Sequence, residues 1–397
     1  MTQRVFPLKG VVQFYNWGGY KFIPDMLGIT NHDKKPYAEY WLGAHPNHPS
    51  KLEGQTVNDL DALIRMDPSF VLGKKLAAKF SSLPFLLKVL DVRQMLSIQV
   101  HPDKSSAEKG YAEENEKGIA VNAPNRNYKD KNHKPELMVA LGDFWLLHGF
   151  KQKKDLERIL DEVPELNFLK SKFEAQGYKG LYEEVMLLEQ SKIIEVLEPL
   201  VQRIEKQYRA GELTKNDEHF WAARAAVEFC RNGNYDRGIF SIYFFNLVHL
   251  KKGEGIFQPA GMLHAYLEGQ NVEIMASSDN VLRAGLTDKY VDLPELMKHV
   301  RFSATKPDII RPSDSHHKIF HSPAEEFELQ EYEMAEGDEQ MIASTGPEIL
   351  LVTEGQLQLD DGNLYDLKPG NAVLLTPGLS IKLKSRSGTS LFRAIVP

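Results

Sequence analysis

The stretch Gly253-Glu-Gly-Ile-Phe-Gln-Pro-Ala-Gly-Met-Leu-His-Ala-Tyr-Leu267 decides the fold of this chain. A glycine-rich turn leads into a short apolar strand that ends at Gln258, and a Pro-Ala-Gly turn then precedes a strand that carries His264. Glycine and proline suit tight turns, while β-branched and aromatic residues suit the pleated strands between them. This order of elements predicts a jelly-roll barrel built from two antiparallel sheets.

A second copy of this order occupies the carboxyl-terminal region. Apolar strands are predicted at 348–353, 355–359 and 372–377, and the turns between them are Asp361-Gly-Asn363 and Leu367-Lys-Pro-Gly370. No histidine lies at the turn that corresponds to His264. We therefore expect a second barrel that binds no metal.

A block of helical periodicity separates the two barrels. From about residue 155 the apolar residues recur at the spacing of one helix face, and a second such pattern covers 193–204. Pro199 predicts a kink or a helix start within that second pattern. The turn Asn232-Gly-Asn234 ends the block, and the aromatic, β-branched run 239–249 then predicts a strand.

Upstream of the helical block, apolar runs at 86–90 and 95–100 and two more within 136–150 predict four strands. The polar segment 102–135 lacks an apolar period and predicts a long surface loop, of the kind that often carries function. The fold class is therefore mainly β with an α insertion. We predict a metal-bearing catalytic barrel over 1–151 and 233–305, an inserted helical domain over 152–232, and a metal-free barrel over 306–397.

Composition excludes several classes of partner. The chain has 397 residues, and its 48 basic and 55 acidic residues give a formal net charge of −7 without a long block of one sign. We expect no nucleic-acid or membrane partner. The single cysteine, Cys230, rules out an intrachain disulfide. Because the sequence has neither a signal-peptide pattern nor an apolar run of membrane-spanning length, we predict a cytoplasmic protein. Its oligomeric state is open, and a monomer is compatible with the sequence.

Four side chains are candidate metal ligands. Gln99 and His101 are two residues apart in an apolar run, so a strand would place both on one face. Glu136 and His264 lie at the ends of other predicted strands and complete a set of two nitrogens and two oxygens. A lone histidine on a strand is more often a packed residue than a ligand, and the joint pattern is what favours a metal. The set suits zinc, with manganese, cobalt and iron left open.

Seven sequence blocks give the chain a family resemblance. It resembles the type I phosphomannose isomerases, zinc-dependent enzymes of the cupin superfamily, and the blocks occur in family order at Gln13–Gly18, Ala38–Pro46, Leu83–Leu90, Leu96–Asp103, Asn132–Glu136, Gly261–Tyr266 and Ser278–Thr287. The resemblance implies two cupin barrels and interconversion of mannose 6-phosphate and fructose 6-phosphate through an enediol or enediolate. It also implies one zinc ion per chain, held by the same four ligands.

The resemblance further assigns roles by position. Arg283 matches an active-site arginine that could share the charge of the developing oxyanion. Glu273 or Lys88 would carry the proton, and the sequence leaves that choice open. The resemblance also matches further residues to positions around the substrate pocket, namely Ser97, Lys88, His133, Lys134, Glu273 and Lys289. A phosphate needs cationic or hydroxyl donors away from the reacting carbons, and the candidates for this are Lys134, Ser97 and Arg283. Trp17 is expected in the core or the pocket wall. Asp279 either orients Arg283 or begins a turn, and His133 is either catalytic or a loop-end residue.

Two classes of function remain open on the sequence. The first is the aldose–ketose isomerase, and the second is a non-catalytic metal-bound barrel that binds or senses a sugar phosphate. The surplus of ionisable groups around the expected site favours the enzyme, because a binder needs phosphate donors but no proton carrier.

Overall fold

The computed structural model describes residues 3–314 and 316–397. Its strands, in chain order, are β1 (Val5–Lys9), β2 (Val11–Gln13), β3 (Glu39–Gly43), β4 (Lys51–Leu52), β5 (Phe85–Val92), β6 (Ile98–Val100), β7 (Glu136–Ala140), β8 (Phe144–Phe150), β9 (Phe245–Leu250), β10 (Gly255–Gln258), β11 (His264–Ala276), β12 (Leu282–Gly285), β13 (Ile309–Ile310), β14 (His317–Phe320), β15 (Glu328–Met334), β16 (Glu339–Ala343), β17 (Glu348–Asp360), β18 (Leu364–Leu367), β19 (Ala372–Leu375) and β20 (Ser380–Ile395). Its helices are α1 (Phe22–Met26), α2 (Leu60–Met66), α3 (Pro68–Leu72), α4 (Lys74–Phe80), α5 (Lys104–Glu116), α6 (Lys153–Glu162), α7 (Lys170–Leu187), α8 (Gln190–Arg209), α9 (Glu218–Phe229), α10 (Gly238–Phe244) and α11 (Leu293–His299), and a 3-10 helix covers Pro164–Leu169.

The first of two antiparallel sheets forms the barrel to which residues 253–267 contribute strands. Its hydrogen-bonded order is β13-β10-β7-β11-β5-β3-β2, and β6, β8, β9 and β12 complete it. Strand β11 holds the barrel together, because its first half pairs with β6 and β8 and its second half pairs with β5 and β7. A register shift between Tyr266 and Glu268, next to Gly269 at φ +132°, separates the two halves. The strand, turn and strand predicted around His264 are confirmed.

The second sheet contains strands from both ends of the chain. Its order is β14-β15-β20-β17-β19-β1-β4, with β16 and β18 attached. Strand β1 pairs with β19, with Val5 opposite Leu375, so the amino-terminal strand completes a sheet formed mainly by the carboxyl-terminal region. One apolar cluster contains buried residues of both sheets, among them Val89, Val272, Ile349, Leu374 and Phe392. The division of the chain into 1–151 with 233–305, 152–232 and 306–397 stays a prediction.

The helical block packs against the strands that carry the candidate ligands. The predicted apolar stripe is buried in α6 and α8, and α8 continues through Pro199. The same cluster includes Ile98 and Val100 of β6. Because side chains alternate along a strand, these two residues face the helices while Gln99 between them faces the barrel interior. Among the helices of the described residues, none combines the length and apolar character that a bilayer-spanning segment requires.

The segment 102–135 is only partly a loop, and the prediction of a continuous loop is wrong. Helix α5 begins after Asp103, whose carboxylate accepts a hydrogen bond from the backbone N–H of Ser106 at 2.8 Å. The buried residues of this helix are Ala107, Gly110 and Glu114. A helix that buries two small residues and a carboxylate has no apolar period, so the periodicity argument could not detect it.

The prediction of a single strand over 239–249 is also wrong. It forms helix α10 up to Phe244 and strand β9 from Phe245, and every residue of α10 is buried. Asp236 accepts a hydrogen bond from the backbone N–H of Gly238 at 2.7 Å at the start of this helix. When all faces of a segment are buried, apolar content does not distinguish a helix from a strand, and tertiary packing overrides β propensity.

Candidate metal centre

The four predicted ligands come from three separate segments that meet at the first barrel. Gln99 lies on β6 directly opposite His264, the first residue of β11. His101 follows β6, and Glu136 is the first residue of β7. The structure brings His101, Glu136 and His264 together, with candidate ligand atoms all within 4.8 Å of one another. These three side chains are almost completely buried.

Hydrogen bonds fix the direction of both imidazoles. Nδ1 of His101 donates to the backbone carbonyl of Asn280 at 2.8 Å, and Nδ1 of His264 donates to the carbonyl of Met262 at 2.9 Å. The Nε2 atoms therefore point toward Glu136. Nε2 of His101 lies 3.4 Å from Oε1 of Glu136, and Nε2 of His264 lies 3.2 Å from Oε2. Backbone carbonyls behind the ligating histidines are the usual way to set tautomer and ring orientation at a metal site.

The donor atoms fit a divalent cation. Nε2 of His101, Nε2 of His264 and Oε2 of Glu136 are buried, and none of them has a hydrogen-bond partner within the described residues. Unpartnered polar atoms are costly to bury, so three of them directed at one point indicate a ligand that completes them. Burial lowers the pKa of His101 to about 4, which keeps the imidazole neutral, as ligation requires. Burial alone would raise the pKa of Glu136, but the charge of Lys134 lowers it well below its usual value and keeps the carboxylate charged.

A cavity of about 780 Å³ opens above these three residues. Glu136 and Gln99 reach its floor, whereas His101 and His264 lie beneath it. The predicted site residues that line the cavity are Trp17, Lys88, Ser97, Gln99, Lys134, Glu136, Glu273, Asp279, Arg283 and Lys289. His133 is not among the lining residues, and its Nε2 lies 2.7 Å from Oε1 of Glu326, outside the first barrel.

A row of charged side chains crosses the cavity wall on adjacent strands. Trp41, Lys88 and Glu273 are register neighbours on β3, β5 and β11. Nζ of Lys88 lies 3.2 Å from Glu273 and 3.6 Å from Glu39, and the hydroxyl of Tyr266 donates to Glu273 at 2.9 Å. Burial alone would lower the pKa of Lys88, but the two carboxylates raise it above its usual value. Burial raises the pKa of Glu273.

A group of cations lines another part of the cavity. Arg283, Lys289 and Lys129 all reach it, and the side chains of Arg283 and Lys289 have no hydrogen bond or ion pair with any described residue. Burial, and then the charges of Arg283 and Lys129, lower the pKa of Lys289. Asp288 offsets part of the charge of Lys289, and Asp279 offsets part of the charge of Lys129. Three cations held this close together still favour the binding of an anion.

Two predicted residues, Asp279 and Lys134, have charged or polar partners within the site. The carboxylate of Asp279 accepts a hydrogen bond from Nε2 of His45 at 3.2 Å, and within the described residues it has no contact with Arg283. Burial alone would raise the pKa of Asp279, but the bond from His45 lowers it to about 2. Nζ of Lys134 lies 2.9 Å from Oε1 of Glu136, so this lysine reaches a candidate metal ligand.

Sequence reasoning missed several lining residues, of which Glu39, Tyr266 and Lys129 matter most to the charges. Glu39 and Trp41 share one face of β3, and Tyr266 lies two residues after His264 on β11. Because side chains alternate along a strand, Glu39 could have been found from Trp41, and Tyr266 from His264. Lys129 lies in an irregular segment and gives no such signal.

Comparisons with known proteins agree with this geometry. A profile of the family described as phosphomannose isomerase type I, catalytic domain, matches residues 5–153. The chain is 34% identical over 374 residues to the mannose-6-phosphate isomerase of Escherichia coli (strain K12), covering 92% of this chain and 93% of that protein. It is 33% identical over 430 aligned positions to the mannose-6-phosphate isomerase of Homo sapiens, covering 98% of each. The solved structure of the Salmonella typhimurium enzyme bound to substrate (F6P) and zinc matches with a TM-score of 0.87 at 32% identity, covering 99% of this chain and 100% of that one.

Proposed function

The chain belongs to the type I phosphomannose isomerases, and on that premise we propose that its cavity interconverts mannose 6-phosphate and fructose 6-phosphate with one bound zinc ion. The family resemblance and the cupin fold predicted from the sequence are confirmed by these relatives. The observation that carries the proposal is the set of ligand atoms on His101, Glu136 and His264 that have no hydrogen-bond partner among the described residues, next to an open cavity that Arg283 also lines.

The zinc ligands we propose are Gln99, His101, Glu136 and His264. The ion supplies Lewis-acid stabilisation of the negative charge that develops on the substrate oxygens during proton transfer. The chain itself contributes the fixed direction of the two imidazoles and the charged state of Glu136. Lys134, 2.9 Å from Glu136, holds this carboxylate from the cavity side and is placed to donate to a sugar oxygen.

We assign the proton transfer between C1 and C2 to Glu273. Its carboxylate is held by the hydroxyl of Tyr266 and the ammonium of Lys88, which orient it toward the cavity. Lys88 lies between Glu39 and Glu273 and stays protonated, so it suits donation to a substrate oxygen better than abstraction of a carbon-bound proton. The sequence left the choice between these two residues open, and the two carboxylates beside Lys88 favour Glu273 as the base.

The phosphate is assigned to the free cations. Among the described residues, the side chains of Arg283 and Lys289 make no hydrogen bond or ion pair, although the charge of Asp288 acts on Lys289, and Lys129 lies beside them. Ser97, another lining residue, is placed to add a hydroxyl donor. Charge-assisted hydrogen bonds to a phosphate are strong and position the reacting carbons. Trp17 and Asp279 remain proposed as wall and polar contacts of the substrate, and a chemical role for His133 remains a prediction.

Isomerisation in D₂O with wild-type and Glu273→Gln protein tests the assignment. The expected wild-type result is fructose 6-phosphate that carries solvent deuterium at C1, seen by NMR, and loss of the reaction with a chelator. Zinc-loaded Glu273→Gln protein should bind fructose 6-phosphate without exchange. Binding of the sugar phosphate by the zinc-loaded wild type with neither turnover nor exchange would support the sensor alternative instead.

We also propose that the protein acts in the cytoplasm as a monomer, without nucleic-acid or membrane partners. The absence of a long block of one charge sign supports the proposal that nucleic acids and membranes are not partners. Sedimentation of the zinc-loaded protein tests the oligomeric state.

A further inference from the structure

A fully buried asparagine lies between the metal centre and the cationic wall. Asn280, in the connection between β11 and β12, has no exposed surface and does not line the cavity. Its backbone carbonyl accepts the 2.8 Å hydrogen bond from Nδ1 of His101. The position of this carbonyl therefore sets the direction in which Nε2 of His101 points.

The side chain of Asn280 binds the backbone of a different loop. Its Oδ1 accepts from the N–H groups of Lys129 and Asp130 at 2.7 and 3.2 Å. Its Nδ2 donates to the carbonyls of Asp130 and Asn132 at 2.9 and 2.8 Å. The whole hydrogen-bonding capacity of the amide is thus used on one short stretch, residues 129–132.

Asp130 binds the Asn280 segment in return. Its carboxylate accepts from Oγ of Ser278 at 2.9 Å, from the N–H of Asp279 at 2.7 Å and from the N–H of Asn132 at 2.8 Å. The two segments are therefore locked together by reciprocal hydrogen bonds. A displacement of one segment moves the other.

One cation begins the locked loop, and another lies two residues after it. Lys129 lines the cavity at one end, and the chain continues at the other end to Lys134, whose Nζ lies 2.9 Å from the ligand Glu136. The amide of Asn280 thus holds the loop of two cavity lysines, while its carbonyl holds a metal ligand.

We propose that Asn280 is a positioning residue that couples the metal centre to the cationic wall, acting through His101 and the 129–132 loop. The inference rests on the proposed function, because it concerns zinc and the sugar phosphate. It predicts that zinc affinity and substrate affinity change together when the amide is removed, since each depends on the same pair of locked segments.

Asn280→Ala tests this, with Asn246→Ala as the matched control. Asn246 also uses its amide on backbone carbonyls, those of His148, Gly149, Phe150 and Thr305, at 2.9 to 3.2 Å, and it does not line the cavity. Both variants lose comparable backbone hydrogen bonds. Zinc affinity is measured by competition with a chromophoric chelator, and KM and kcat for mannose 6-phosphate are measured at saturating zinc.

We expect Asn280→Ala to weaken zinc binding by about 10- to 100-fold, the range for a lost partner behind a metal ligand. KM should rise roughly tenfold, the size of a weakened charge-assisted hydrogen bond. Asn246→Ala should change neither value, although it lowers the melting temperature. The inference is overturned if Asn280→Ala changes only the melting temperature, or if the control shifts zinc affinity and KM equally.

Ser278→Ala keeps the test open if Asn280→Ala does not fold. It removes a single hydroxyl that binds Asp130 at 2.9 Å and the carbonyl of Asn132 at 3.2 Å. A smaller loss of zinc affinity together with a rise in KM supports the coupling, and two unchanged values overturn it. Failure of the proposed function would look different, because the wild-type protein would then bind zinc without turnover, or would bind no zinc.

Discussion

The two barrels of this molecule differ in whether their buried charged groups are paired. In the first barrel, His101, Glu136 and His264 leave three buried polar atoms that have no hydrogen-bond partner in the described part of the chain. In the second barrel, the guanidinium of Arg393 donates to both carboxylate oxygens of Glu348 at 2.7 and 2.9 Å and to the carbonyl of Ala343 at 2.8 Å.

The difference teaches how to separate a functional polar cluster from a structural one. A structural cluster satisfies its own members, as a low-dielectric interior requires. A functional cluster leaves atoms to be satisfied by a ligand, and the cluster adjoins a cavity through which that ligand can enter. Among the described residues, a group of ligating side chains that could hold a metal ion occurs in the first barrel alone.

The largest effect should come from a metal ligand. His264→Ala should abolish stoichiometric zinc binding and lower kcat/KM by roughly 1000-fold or more, because Lewis-acid stabilisation supplies several kcal/mol. The matched change is His317→Ala in the second barrel, where the ring stacks on Tyr332 and contacts Gln330. Zinc content and kcat/KM are the measurements. Equal losses in the two variants would contradict the contrast between the barrels.

The next largest effect should distinguish two lysine–glutamate pairs of similar geometry, one in each barrel. Lys88 lies 3.2 Å from Glu273 in the first barrel, and Lys318 lies 3.1 Å from Glu331 in the second sheet. Glu273→Gln should lower kcat by about 100- to 10,000-fold with zinc retained, the usual contribution of a general base. Glu331→Gln should leave kcat unchanged. Steady-state kinetics of both proteins decides this, and a normal kcat for Glu273→Gln would remove it as the base.

A smaller effect is expected from the free cations. Arg283→Met should raise KM for mannose 6-phosphate by about 10- to 100-fold, the value of one hydrogen bond to a charged group. Inhibition by mannose, which has no phosphate, should stay the same. Lys382→Met, which removes an exposed partner of Glu339 in the second sheet, is the control for lost charge. A KM equal to that of the control would place the phosphate elsewhere.

The smallest effect on activity should come from the paired charges of the second barrel. Arg393→Ala leaves Glu348 buried without its partner and should lower the free energy of unfolding by about 3–5 kcal/mol. The kcat of the folded fraction should not change, because this pair lies outside the cavity. Urea unfolding and kinetics at low temperature measure the two quantities. A reduced kcat without a loss of stability would give this barrel a part in catalysis.

The sequence predicted the elements whose signal is local. Gln99 and His101 could be paired from strand alternation, and the turns around residues 253–267 could be predicted from glycine and proline. Helix α10 could not be predicted, because a segment buried on every side carries no period. Helix α5 could not be predicted either, because it buries small residues.

The long-range contacts had no local signal. Nothing in the sequence places β1 beside β19, or His133 against Glu326. The same holds for Glu39 beside Lys88, which required the register of β3 and β5. Such contacts depend on tertiary packing and therefore appear only in the folded molecule.

Zinc titration of chelator-treated protein tests the central claim most directly. The claim is that ligand atoms from three distant segments meet at one cation beside an open cavity. The account predicts that metal-free protein does not isomerise mannose 6-phosphate, and that activity returns in proportion to zinc until one ion is bound per chain. Full turnover by metal-free protein, or activity that saturates at a different stoichiometry, would contradict it.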